Sequence, residues 1–193
     1  MTDFRAKTNL PPLVARATAL AEQHGFTRSC TPEVGRLLRV LAAQVRAGTV
    51  AEIGTGVGVG AAWLASALSL GVALVTVEAD AVLAEVARHF LRDMPDVRVL
   101  AADWRDLLPY GPFALLFADV TDAKATHPEL LVHALAPGGV IVLDDLTPED
   151  QWPPEWRGQR DPVRDFWLND PRLVATEILL TPTTAAILAV RVL

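Results

Sequence analysis

Apolar positions along the chain follow two periods in turn. Over 12–24 and 32–47 they recur at helical spacing. In the second stretch Leu37, Leu38, Leu41 and Val45 share a face, with Thr31 as cap and Pro32 as the first helical residue. From residue 48 onward short apolar runs alternate with helical ones. The segments 48–53, 73–78, 97–101, 113–119 and 140–144 predict strands. The segments 60–70, 81–92 and 127–136 predict helices, the last closed by Pro137-Gly138-Gly139. A long loop rich in Pro, Trp and charge is expected over 147–160 and a short helix over 162–169. Two final β runs, 173–180 and 185–192, joined by Thr181-Pro182-Thr183-Thr184, predict a hairpin.

Strands alternating with helices imply right-handed βαβ crossovers and a parallel sheet. The near-continuous apolar character of these strands fits a sheet covered on both faces. The expectation is a doubly wound α/β fold with an antiparallel C-terminal hairpin, in one domain spanning 1–193, with no internal repeat or linker. Composition agrees: 193 residues, 51% hydrophobic and 21% charged, describe a globular chain. A net charge of −6 argues against nucleic acid as the main partner. The single cysteine, Cys30, excludes an intramolecular disulfide and a thiolate zinc cluster, and it lies far in sequence from the motifs below. The first ten residues lack the apolar core of a leader peptide and no run is long enough for a membrane span, so a cytoplasmic location is expected.

The chemistry begins at Glu52-Ile53-Gly54-Thr55-Gly56-Val57-Gly58, between the first strand and a helix. Glycines there permit a sharp turn and close approach of a ligand. The spacing misses the G-x-G-x-x-G dinucleotide pattern, because Val59 holds the third glycine's place. It resembles motif I of class I methyltransferases. Glu78 ends the second strand, where a carboxylate takes the hydroxyls of a ribose. Asp103-Trp104 follows the third strand, where a carboxylate and an indole suit an adenine. The fourth and fifth strands end in Asp119 and in Asp144-Asp145. If these converge, they repel unless a cation sits among them, and a hard ion such as Mg²⁺ prefers such an oxygen set. Left unpaired, the same acids are ordinary strand-end or capping residues.

Together these residues resemble the cation-dependent O-methyltransferases of the catechol and caffeoyl-coenzyme A type. The match includes Thr31-Pro32-Glu33-Val34-Gly35-Arg36-Leu37-Leu38 and the closing hairpin. The resemblance implies a seven-stranded, Rossmann-like sheet, a homodimer, and N-terminal helices over 1–47 covering the sheet and active site. It implies S-adenosylmethionine surrounded by Glu52, Gly54, Thr55, Gly56, Gly58, Gly60, Glu78, Ala79, Asp103, Trp104 and Asp119. It also implies a divalent cation on Asp119, Asp144 and Asp145, a small hydroxylated acceptor, and Asp119 and Lys124 as catalytic residues. Three departures stand out. The family usually has Asp-Asn where this chain has Asp144-Asp145. It often has a serine contacting the methionine carboxylate where this chain has Gly60. Its lysine base stands three residues after the first metal aspartate, a position held here by Asp122, so Lys124 serves only if the loop shifts.

The expected reaction is an in-line methyl transfer to an oxygen nucleophile, in which the protein aligns two reactants. Trp152 and Trp156, in the loop after the fifth strand, are candidates for an apolar wall against an aromatic acceptor, or equally for loop anchors. Two rivals stay open: a metal-free methyltransferase on the same cofactor site, and a cofactor binder with decayed catalysis. A nucleotide-linked oxidoreductase is disfavoured by the glycine spacing.

Overall fold

The structure is a computed structural model, and it describes residues 10–193; the leader-free reading of the first nine residues lies outside them. Two helices come first, α1 (Pro12–Gln23) and α2 (Pro32–Gln44), the second capped by the Thr31 hydroxyl on the Val34 N–H at 3.3 Å. Then β1 (Thr49–Ile53), α3 (Val59–Ala65), β2 (Ala73–Glu78), α4 (Ala81–Leu91), β3 (Val97–Ala101) and β4 (Phe113–Ala118) alternate. They are followed by α5 (Pro128–Ala134), β5 (Leu135–Leu146), α6 (Pro162–Asn169), β6 (Leu173–Thr181) and β7 (Thr184–Arg191). Among the described residues, no helix is long and apolar enough to cross a membrane.

The seven strands form one sheet in the order β3-β2-β1-β4-β5-β7-β6. β3 through β5 run parallel, and β7 pairs antiparallel with both β5 and β6. Period-two alternation sends successive side chains to opposite faces. Ala51, Ile53, Val77, Leu116 and Leu143 pack on the side of α5 and α6. Val50, Leu74, Leu115, Phe117 and Val142 pack beneath α2, α3 and α4. Gly35 lets α2 approach α3, because a Cβ there would overlap the Trp63 indole.

The structure corrects two local expectations and adds two turns. The helix expected over 60–70 stops at Ala65, and Leu70 lies almost fully exposed in the following turn. Pro137-Gly138-Gly139 does not close α5. It lies inside β5, as an irregularity that shifts the β4–β5 pairing between Phe113 and Leu115. A 3-10 turn spans Trp104–Tyr110, capped by the Asp103 carboxylate on the Arg105 N–H at 2.9 Å. A π turn spans Asp122–Thr126. Neither turn carries a hydrophobic period long enough to be read from sequence.

Candidate active site

The parallel register brings the chemistry together. Ile53 on β1 aligns with Val77 on β2 and Ala118 on β4, and Ala118 aligns with Leu143 on β5. Each strand's next residues therefore emerge at one edge: Gly54, Glu78, Asp119 and Asp144. The strand order reverses between β1 and β4, the switch point where open α/β sheets bind ligands.

A cleft of about 630 Å³ opens there, lined by Gly54, Gly56, Glu78, Ala79, Asp103, Trp104, Asp119 and Asp145. The Glu78 carboxylate is fixed by two backbone donors, Gly56 N–H at 2.8 Å and Asp80 N–H at 3.0 Å. Gly56 adopts φ 54°, and its missing Cβ makes room for the Phe26 ring, which would lie 2.7 Å away. Trp104 is buried and donates its indole N–H to Asp122 at 3.0 Å. Asp103 pairs with Arg105, which holds its carboxyl below the ordinary range, chiefly through the Arg105 backbone N–H. Gly58 faces Phe90 in the helix layer and stands outside the cleft.

Beneath the glycine turn lies a small recess reached by Glu52, Thr55, Gly60 and Asp119. Among the described residues the buried polar side chains are Glu52, Thr55, Thr76, Lys124 and Asp144, all at this edge of the sheet. Thr76 donates its hydroxyl to Glu52 at 2.6 Å and shares a 2.5 Å hydrogen bond with Thr55. Burial pushes the Glu52 carboxyl up to about 8, the Thr76 hydrogen bond opposing and the Asp119 and Glu78 charges adding. The Glu52 carboxylate fills the space beside Gly60, and a Cβ there would require that side chain to shift.

Asp119, Asp144 and Asp145 do converge: one carboxylate oxygen from each lies within 4.8 Å of the others. The Oδ1 atoms of Asp119 and Asp144 are buried without a hydrogen-bond partner. Such orphaned acceptors are costly, and a hard cation satisfies them. Burial and the neighbouring carboxylates raise the Asp119 carboxyl, while burial raises Asp144 to about 6; the Lys124 ammonium opposes both. Asp145 sits at φ 60°, a left-handed conformation that Asp and Asn tolerate best, so it fits the backbone of the usual asparagine.

Lys124 lies at the same edge of the sheet. The π turn places two extra residues between Asp119 and the lysine and turns it inward, where its Nζ donates to the Asp144 carbonyl. Trp167 on α6 fixes the turn by donating its indole N–H to the Lys124 carbonyl at 2.9 Å. Asp122, in the family's lysine position, instead faces outward to Trp104 and Arg105.

A second cavity, about 420 Å³, meets the first at Thr121 and Asp145 and is lined by Lys124, Trp152, Trp156, Gln159, Arg160 and Arg164. Its two tryptophans differ. Trp152 is buried, donates to the Thr147 carbonyl at 3.0 Å and carries Arg164 on its face; Trp156 is half exposed. The sequence reading missed the Phe26–Thr31 segment, which lines the cleft from above, and Cys30 with it. Cys30 is therefore beside the motifs, not remote from them. Burial, with the charges of Glu52, Asp144, Asp119 and Asp145, keeps its thiol protonated. Only proximity in the fold reveals this.

Residues 51–146 match the family model described as "Methyltransferase domain". A curated catechol O-methyltransferase from Niastella koreensis is 31% identical over 146 residues, 69% of this chain and 65% of that protein. Residues 51–146 are thus a methyltransferase domain by this match, and the chain is similar to the class I O-methyltransferases. The match spans just under two thirds of that relative's length. An O-methyltransferase from Bacillus cereus, solved in complex with SAH, superposes with a TM-score of 0.79 at 25% identity, over 97% of this chain and 94% of that one. TomG, an O-methyltransferase from Streptomyces achromogenes solved with SAM, superposes at 0.77 with 24% identity over 96% and 92%, which speaks to the fold. Among these methyltransferases, the seven-stranded architecture with its antiparallel end is shared by this chain.

Proposed function

We propose that this methyltransferase transfers the methyl group of S-adenosylmethionine to a hydroxyl of a small, catechol-like acceptor, assisted by a divalent cation on Asp119, Asp144 and Asp145. The observation that carries the reading is the pair of partnerless carboxylate oxygens of Asp119 and Asp144, close to Asp145, where the two cavities meet. S-adenosylmethionine supplies an activated methyl on a sulfonium, and a hard cation supplies a Lewis acid that favours the deprotonated hydroxyl. Glu78 is fixed to receive the ribose, with Asp103 and Trp104 on the adenine side. The acceptor oxygen forms the new C–O bond as the C–S bond breaks. The electron pair leaves with sulfur as a neutral thioether, the hydroxyl proton leaves to solvent through the open cleft, and the Lys124 ammonium stabilises the acceptor oxyanion.

One observation favours a metal-free variant of the same reaction: Lys124 already provides a buried positive charge beside Asp119 and Asp144. Calorimetric titration of Mg²⁺ into protein saturated with S-adenosylhomocysteine separates the two. Saturable Mg²⁺ binding, lost in Asp144→Asn, is the expected result. Cofactor binding with no Mg²⁺ response leaves the metal-free reaction, and no cofactor binding overturns the methyltransferase reading.

A further inference from the structure

The inner end of the cofactor cleft is crowded with acid. Glu52 and Asp119 line its recess, and Glu78, Asp103 and Asp145 line the wider cleft. A ligand carboxylate placed there meets repulsion unless a cation and donors are provided. One basic side chain, Arg28, lines both the cleft and the recess, and among the described residues it forms no ion pair. Its guanidinium lies 5.5 Å from the centre of the Phe26 ring, the ring that rests over Gly56. The aromatic face positions the guanidinium near the glycine turn while leaving its N–H fork unspent. The adjacent Ser29 contributes a buried hydroxyl with no hydrogen-bond partner, and it too lines cleft and recess. On the opposite side, position 60 is a glycine and supplies no hydroxyl, and the Glu52 carboxylate lies against it.

We propose that Arg28 and Ser29 bind the α-carboxylate of the cofactor's methionine moiety, in a site where Gly60 supplies no hydroxyl. The inference rests on the cofactor reading above. It assigns the segment between α1 and α2 a direct part in holding the amino-acid end, while Glu78, Asp103 and Trp104 hold the nucleoside. An arginine fork suits a carboxylate because two parallel N–H donors meet its two oxygens.

The test compares two ligands, S-adenosylhomocysteine and 5′-methylthioadenosine, which share the nucleoside but differ in the amino-acid portion. Dissociation constants are measured by calorimetry for wild type, Arg28→Met, Arg28→Lys and Ser29→Ala. Arg28→Met keeps an apolar stem against Phe26 and removes the charge. It should weaken S-adenosylhomocysteine roughly tenfold or more and leave 5′-methylthioadenosine within about twofold, with Arg28→Lys recovering part of the loss. Ser29→Ala should weaken S-adenosylhomocysteine several-fold without lowering the melting temperature, since it deletes a hydroxyl that has no partner in the free protein. Unchanged S-adenosylhomocysteine binding in Arg28→Met overturns the inference alone, as does an equal loss of both ligands. A wild type that binds neither overturns the cofactor reading and this inference with it.

Discussion

Glu52 is the residue whose surroundings most change its chemistry. It is fully enclosed, held by Thr76 on one side and pressed against Gly60 on the other. With its folded value near 8 and an ordinary value of 4.5, the folded state keeps a proton that the unfolded chain releases. Stability from this group is therefore complete below the ordinary value and is lost as pH rises through about 8. The melting temperature of the wild type should fall between about pH 5 and 8, and Glu52→Gln, which cannot ionise, should flatten that fall. A slope unchanged in Glu52→Gln would place the titration elsewhere. The same carboxylate packs against Gly60, where a larger side chain would require it to move.

At the scale of elements, the π turn Asp122–Thr126 decides whether the site has its lysine. The extra residues after Asp119 would swing Lys124 away if the turn were a regular helix or an open loop. α6 holds it in place through the Trp167 indole on the Lys124 carbonyl, a hydrogen bond between segments 43 positions apart. Trp167→Phe keeps the ring and leaves that buried carbonyl unpaired, at a cost of about 1–3 kcal/mol. It should also lower kcat while leaving the affinity for S-adenosylhomocysteine unchanged. In the Lys124→Met background the further loss of kcat should vanish, because Trp167 acts through the lysine. Additive losses would make Trp167 a packing residue only.

For the molecule as a whole, two cavities meet at Thr121 and Asp145, and the proposed reaction assigns the first to the cofactor and the second to the acceptor. The two tryptophans of the second cavity should then separate experimentally. Trp156→Ala should raise KM for a catechol while leaving S-adenosylhomocysteine binding and the melting temperature unchanged, since its ring is half exposed. Trp152→Ala should destabilise the fold by about 3–5 kcal/mol, as buried aromatic truncations do. Equal effects of both on stability would make the wall a loop anchor throughout.

The order of strands and helices, the glycine turn, Glu78 and the three aspartates were legible in the chain because each is local: a period of apolar residues, a turn, or an acid at a strand end. Their convergence was legible only as a consequence of parallel pairing, which the alternation of strand and helix implies. What tertiary structure alone decided are the features made by segments distant in sequence. The inward turn of Lys124 depends on an indole from α6, the filling of the space beside Gly60 depends on Glu52, and the roof of the cleft depends on Phe26 reaching Gly56. Pattern along a chain reports which face of an element is apolar. It does not report which atoms from another element will occupy the space above it, because that is set by close packing of the whole core.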